Sequence, residues 1–93
     1  MKSNMEHYFK NNMWILKKDF ESAKKIYKFT NFITAFSWMT EIALNVEINN
    51  HHPEWKNIYD KVYVELTTHD KKKVTRKDLI LAKIMDVAFE KYS

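Results

Sequence analysis

The chain contains no glycine in 93 residues, and this absence restricts every turn that it can form. Glycine is the residue that adopts positive φ angles at no steric cost. Without it, such positions must be avoided or occupied by Asn, Asp or Lys, at some cost in strain. The same absence excludes the glycine-rich loops that bind nucleotide phosphates in Rossmann and Walker-type enzymes.

Length and composition predict a single small domain over residues 1–93. Cysteine is absent, so the chain has no disulfide and no thiolate ligand or nucleophile. The formal charge of +4 is modestly basic, and no nucleic-acid motif accompanies it, so we expect no nucleic-acid partner. No apolar run approaches the roughly 20 residues that span a bilayer. We therefore expect no membrane association and a cytoplasmic location, with the nucleus as a second compartment.

A long helix is predicted in the middle of the chain. Apolar residues recur there at three- and four-residue steps. They are Phe32, Ala35, Phe36, Met39, Ile42, Ala43 and Val46. Thr30 or Asn31 is a suitable N-cap, and the helix should end by Asn49 or Asn50, since Pro53 disfavours helical backbone at the residue before it.

The remaining pattern predicts strands around this helix and a second helix at the end. Residues 14–16 suit a short edge strand, residues 25–29 a second strand, and residues 62–66 alternate as a half-buried strand does. Residues 57–61 indicate a turn or a strand entry, and residues 1–12 a loose arm or a short helix. Thr75 and Asp78 form a capping box before the last helix. This order predicts a two-layer α+β fold, with helices on an antiparallel sheet.

Three of the four histidines lie in two short segments at the ends of these elements. The segments are Asn50-His51-His52-Pro53-Glu54-Trp55 and Thr67-Thr68-His69-Asp70. Histidine as a residue type exchanges protons near neutrality. The pattern therefore indicates acid/base chemistry on a ligand, with Trp55 as a flat wall and Glu47, one turn before His51, as a group that orients an imidazole.

Two other interpretations remain open at this point. Three histidines and a carboxylate can bind zinc, although their spacing matches no common metalloenzyme motif. A His-His-Pro turn can also be a helix stop whose imidazoles cap carbonyl groups. The run Lys71, Lys72, Lys73 is typical of an exposed turn, with contact to phosphate as the alternative.

Three spaced motifs resemble the pterin-4a-carbinolamine dehydratase family over residues 14–89. They are Glu47-x-x-Asn50-His51-His52-Pro53-Glu54-Trp55, Val62-x-Val64-x-Leu66-Thr67-Thr68-His69-Asp70 and Thr75-x-x-Asp78-x-x-Leu81-Ala82. The resemblance implies a lyase that dehydrates 4a-hydroxytetrahydropterin to quinonoid dihydropterin in tetrahydrobiopterin recycling, without metal or cofactor. It also implies a four-stranded antiparallel sheet with helices on one face, and a homodimer or homotetramer. Family members often carry glycine where Lys71 to Lys73 stand here.

The resemblance also implies the roles of individual residues. The catalytic group is His51, His52, His69 and Asp78, in which His52 is the main acid/base and Asp78 orients His69. The substrate-binding group adds Glu47, Asn50, Trp55, Thr67, Thr68 and Asp70 to the three histidines. The alternative function is a non-catalytic dimerisation module that acts as a transcriptional coactivator.

Overall fold

The computed structural model describes residues 2–93 as three helices and four strands. In chain order the elements are α1 (Lys2–Asn11), β1 (Ile15–Leu16), β2 (Ala23–Lys28), α2 (Phe32–Asn49), β3 (Glu54–Ile58), β4 (Lys61–Leu66) and α3 (Arg76–Tyr92). A short 3-10 turn, Lys18–Phe20, lies between β1 and β2. Among the residues described, no helix is both long enough and apolar enough to cross a membrane. For residues 1–12 the sequence left a loose arm or a short helix open, and the structure has the helix α1 there.

The strands form one antiparallel sheet in the order β1-β2-β4-β3, and the helices cover one of its faces. On the covered face, Ala23, Tyr27, Val62 and Leu66 are buried, whereas Ile26 on the opposite face is largely exposed. The alternation over β4 buries Val62, Val64 and Leu66, as predicted. This arrangement confirms the predicted two-layer α+β fold with a four-stranded sheet.

β3 is the strand that the residue pattern did not identify. Residues 57–61 were predicted as a turn or a strand entry, but the strand starts already at Glu54 and ends at Ile58. Its residues alternate between exposed and half-buried, and each pairs with β4. The sequence of β3 has a weak strand preference, because Asn and Lys are two of its five residues. Its hydrogen-bonded pairing with β4 is what identifies it as a strand.

α2 has the predicted bounds, and its buried face contains Ala35, Ile42 and Val46 of the predicted stripe but not the whole stripe. Asn31 is the N-cap, and its side chain accepts a hydrogen bond from the backbone N–H of Thr34. Trp38, which lies off the predicted stripe, is fully buried, whereas Phe32, Phe36 and Ala43 are exposed. The prediction was therefore wrong about these four residues. The helix has apolar residues on two sides, and periodicity cannot tell which side meets the sheet.

Six residues with side chains occupy positive φ angles, at the turns where glycine is common in other proteins. They are Met13, Asp19, Phe20, Asn50, Tyr59 and Lys72. Asn50, Asp19 and Lys72 belong to the predicted residue types. Met13, Phe20 and Tyr59 do not, and bulky side chains in this region carry the larger strain.

Candidate active site

The candidate site lies where α2 ends, β3 begins, β4 ends and α3 begins. Asn50, with φ of 50° and ψ of 44°, ends α2 in left-handed geometry and turns the chain toward β3. Glu54 of β3 pairs with Glu65 of β4. Asp78 of α3 contacts both His51 of the first histidine segment and Thr68 of the second. The two histidine segments, separate in sequence, therefore lie side by side.

His51 is held by a buried carboxylate. Its Nε2 lies 2.6 Å from Oδ1 of Asp78, the side chain of Asp78 is 0% exposed and that of His51 is 12% exposed. Asp78 Oδ2 in turn lies 2.7 Å from Thr68 Oγ1 and 2.9 Å from the backbone nitrogen of Thr75. All three partners approach the carboxylate as donors, so the proton of the His51 ring resides on Nε2. Nδ1 is then the ring nitrogen that can accept a proton.

Two threonine hydroxyls fix the direction of this network. Thr68 Oγ1 has one proton and gives it to Asp78, so the 2.6 Å contact between Thr68 Oγ1 and Thr75 Oγ1 must be donated by Thr75. Thr75 is the N-cap of α3, and the predicted capping box with Asp78 is confirmed. One carboxylate therefore both caps α3 and orients an imidazole.

His52 is open to solvent on the other side of the same turn. Its Nε2 lies 3.2 Å from Oε2 of Glu47, with 60% of the His52 side chain and 79% of the Glu47 side chain exposed. Glu47 thus orients His52, not its neighbour His51. The adjacent histidines point apart, so each acquires a carboxylate of its own.

His69 is the most exposed of the three histidines. Its Nε2 lies 3.9 Å from Oε2 of Glu54. It lines a hollow of about 290 Å³ that it shares with Thr67 and Glu54. The expectation that Asp78 orients His69 was wrong, because the Asp78 carboxylate is occupied by His51, Thr68 and the backbone of Thr75, whereas His69 lies beside Glu54.

The remaining predicted substrate-binding residues are distributed around this turn. Thr68 is 5% exposed and is occupied by Asp78 and Thr75, so its hydroxyl serves as a positioning group. Thr67 Oγ1 donates to the carbonyl of Glu21 at 2.8 Å. Trp55 is half-buried, and its ring centroid lies 6.2 Å from that of the core residue Trp38. Asn50 and Asp70 are exposed.

Two residues belong to the site that sequence reasoning did not assign to it. Thr75 was expected only as a helix cap, yet its hydroxyl completes the Asp78 network. Glu54 was named in the histidine motif without a role, and it contacts His69. The spacing from His52 to Glu54 places both on one face of an extended chain, and this was the available signal for Glu54.

A larger cavity of about 810 Å³ is separate from the histidines. Its lining includes Ile15, Ile26 and Tyr63 on the exposed face of the sheet, and it shares Glu54 and Glu65 with the smaller hollow. Within the described part of the chain, no three His, Cys, Asp or Glu side chains come together as metal ligands do.

Comparison with known proteins gives consistent results. Residues 2–88 match the family model of pterin 4 alpha carbinolamine dehydratase. A protein of Rhizobium rhizogenes, named provisionally as a pterin-4-alpha-carbinolamine dehydratase, is 53% identical over 75 residues, which are 81% of this chain and 74% of the relative. A crystal structure described as a transcriptional coactivator/pterin dehydratase from Brucella melitensis has a TM-score of 0.85, 35% identity and 95% coverage of both chains.

A more distant structure shares the fold alone. It is described as a pterin dehydratase-like protein that is a RuBisCO assembly factor in the alpha-carboxysome. It has a TM-score of 0.71 at 14% identity and covers 83% of this chain and 89% of its own. The match over residues 2–88 and the identity to the Rhizobium rhizogenes relative show that this chain belongs to the pterin-4a-carbinolamine dehydratase family.

Proposed function

We propose that the protein removes water from 4a-hydroxytetrahydropterin and releases quinonoid dihydropterin, within tetrahydrobiopterin recycling in the cytoplasm. The observation that carries the proposal is the pair of half-buried His51 and fully buried Asp78, 2.6 Å apart, next to the open imidazole of His52. Membership of the family supports the same chemistry.

The reaction needs two proton transfers and no electron transfer. An acid gives a proton to the hydroxyl on carbon 4a, and the C–O bond breaks to release water. A base takes the proton from the neighbouring ring nitrogen, and its electron pair forms the C=N bond. Imidazoles are suited to both steps, because the residue type exchanges protons near neutrality.

His52 is the main acid/base group in this proposal, and Glu47 holds its ring through the 3.2 Å contact. His51 shares in proton transfer through Nδ1, since Asp78 keeps the other proton on Nε2. His69 binds the substrate from the β4 side. The remaining binding residues are Asn50, Trp55, Thr67 and Asp70, with Thr68 acting through Asp78.

The variant His52→Ala tests the proposal. We expect the dehydration rate, followed by ultraviolet absorbance, to fall about 100-fold, the lower end of what general acid–base catalysis supplies. The far-ultraviolet circular dichroism should not change, because the His52 side chain is 60% exposed. His7→Ala on the exposed side of α1 is the matched control and should keep the full rate. A near-normal rate in His52→Ala rejects the assignment.

A second candidate function is a binding module that acts as a coactivator. It is favoured by the description of the Brucella melitensis structure and by apolar side chains on the outside of α2. Ile33, Leu44 and Ile48 are 75%, 65% and 80% exposed, and their spacing puts them on one side of the helix. A folded wild-type protein that does not dehydrate the carbinolamine would favour this function over the enzyme.

The same stripe supports a homodimer or homotetramer, because solvated apolar rows of this kind commonly cover an interface. We expect light scattering to give a multiple of the chain mass for the wild type and a smaller mass for Leu44→Glu. Asn11→Glu, at an exposed polar position of α1, introduces the same charge away from this stripe and should leave the mass unchanged. A wild-type monomer would contradict this proposal.

A further inference from the structure

The face of the sheet that the helices do not cover carries a diagonal row of apolar side chains. The registers of the four strands place its members one after another across this face, and they are Ile15 of β1, Ile26 of β2, Tyr63 of β4 and Ile58 of β3. Ile15, Ile26 and Ile58 are 72%, 59% and 52% exposed. Neighbouring strands are about 4.8 Å apart, and residues on one face of a strand are about 6.7 Å apart, which makes the row about 20 Å long. Contiguous apolar side chains in water mark an interaction surface.

A cavity of about 810 Å³ lies over the part of the diagonal row that crosses β1, β2 and β4. Ile15, Ile26 and Tyr63 line it, together with Met13, which is 79% exposed. Binding sites combine apolar walls of this kind with a small number of charged groups. The row therefore belongs to a concave surface that can receive apolar side chains of a partner.

Lysines lie on both sides of the diagonal row. Lys24 and Lys56 are on one side, and Lys28 and Lys61 are directly opposite each other on the other side. Like charges in directly opposite positions destabilise a sheet. Asp60 Oδ1 lies 3.5 Å from Lys61 Nζ, but no carboxylate of the described residues forms an ion pair with Lys28. A carboxylate from a partner, placed between Lys28 and Lys61, therefore reduces this repulsion.

We propose that this open face binds an acidic amphipathic helix of a partner protein, with apolar side chains along the diagonal row and carboxylates at Lys28 and Lys61. A segment that lies on the face of a sheet must pair its own backbone groups, as a helix does and an extended segment does not. A row of about 20 Å accommodates about 13 helical residues. The inference goes beyond the dehydratase proposal, because it concerns a surface apart from the three histidines.

Two other occupants fit this face less well. A second copy of the chain brings four lysines and two glutamates, Glu54 and Glu65, so both faces have an excess of positive charge and repel each other. A single-stranded nucleic acid needs aromatic rings on which its bases stack. The diagonal row supplies Tyr63, whose ring already has Lys56 Nζ over it at 5.1 Å from the centroid.

The test uses a synthetic helical peptide of about 14 residues, with leucine at steps of three and four and glutamate on its flanks. Fluorescence anisotropy measures its dissociation constant, and NMR shift changes locate it on the isotope-labelled protein. We expect shift changes at the open-face residues of β2 and β4. The same peptide with lysine in place of glutamate is the matched control and should bind about tenfold more weakly.

Two variants separate the diagonal row from its charged side. Ile26→Thr keeps a branched residue in the strand and removes apolar surface, and Lys28→Glu reverses one charge. We expect each to weaken binding of the acidic peptide about fivefold. Ile33→Thr on the outside of α2 and Lys77→Glu at an exposed position of α3 make the same changes elsewhere and should keep the wild-type dissociation constant.

Equal affinity for the two peptides, or no binding of the acidic peptide, overturns the inference. Shift changes confined to α2, with a loss of affinity in Ile33→Thr and none in Ile26→Thr, also overturn it. The comparison of the two peptides needs only the wild type, so it decides the inference even where a variant does not fold.

Discussion

Helix α3 carries two largely buried aspartates two turns apart, and their surroundings differ. Asp78, in the first turn, accepts hydrogen bonds from Thr68 and Thr75 and holds the ring of His51. Among the described residues, the groups that donate to Asp86 all belong to the packed interior between α1, β2 and α3. Its donors are Tyr8 at 2.7 Å, Trp14 at 3.0 Å, Lys25 at 2.8 Å and Tyr27.

We propose that Asp78 serves the active site and Asp86 serves the fold, and the partners of the two carboxylates are what differ. Two of the donors to Asp86 are phenols, and burial and then the neighbouring carboxylate raise the pKa of both Tyr8 and Tyr27. One partner of Asp78 is the imidazole of His51, which is next in the chain to the exposed His52. Burial is common to both aspartates, so the partners decide the role.

The largest effect is expected from Asp86→Asn. The substitution removes the charge that Lys25 faces at 2.8 Å, with only 15% of the Lys25 side chain exposed. We expect the free energy of unfolding to fall by about 3 kcal/mol, the scale for breaking a largely buried ion pair. Urea denaturation measures this loss. We expect kcat of the folded Asp86→Asn protein to equal that of the wild type, because Asp86 contacts only interior groups among the described residues. A loss of tenfold or more in kcat would show that Asp86, like Asp78, affects the reaction.

Asp78→Asn should produce the opposite pattern. An amide in place of the carboxylate no longer requires the His51 proton on Nε2, so the ring loses its fixed tautomer. We expect kcat to fall about 100-fold, while stability falls by about 1 kcal/mol through the lost cap. Stopped-flow absorbance and urea denaturation give the two numbers. Equal kcat in wild type and variant would show that Asp78 is only a cap.

Thr68 offers a smaller and sharper test of the Asp78 network. Thr68→Val keeps the shape and removes the donor to Asp78 Oδ2, whereas Thr68→Ser keeps the donor. We expect kcat to fall about tenfold in Thr68→Val and to stay near the wild-type value in Thr68→Ser. Equal rates in the two variants would exclude a positioning role for this hydroxyl.

The smallest expected effect is a loss of stability at alkaline pH, caused by the two tyrosines that donate to Asp86. The pKa of Tyr8 and of Tyr27 lies above the ordinary value of 10.0 in the folded state. The unfolded chain therefore loses these protons first, and the stabilisation that is complete below pH 10 is lost as the pH rises further. Urea denaturation between pH 9 and 11 should show this decline, with a shallower slope in Tyr8→Phe. Identical slopes would mean that Tyr8 does not contribute.

Much of the fold was predictable from local signals. The bounds of α2, its cap at Asn31 and the capping box of Thr75 and Asp78 follow from residue preferences that act within one turn. The burial of alternate residues in β4 follows from a period of two. β3 was missed, because its five residues are identified by pairing with β4, which is not a local property.

The sequence predicted which residues lie in the candidate site, but it did not predict which of them contact one another. The motif around His51 and His52 named residues that meet at the start of β3. Which carboxylate each imidazole takes was not accessible, because Asp78 is 27 residues from His51 and either His51 or His69 satisfied the spacing.

The sequence by itself determined the bounds of α2, the cap of α3 and the alternation in β4, which residue types were present for proton transfer, and that turns had to form without glycine. These properties depend on residue type and on interactions between residues a few positions apart. Such interactions form without contact between distant segments of the chain. Only the tertiary structure decided that Trp38 faces the sheet, that Asp78 holds His51 and that Asp86 closes the interior. Each of these depends on the register of β3 on β4 and on the packing of α3, which arise only when distant segments meet.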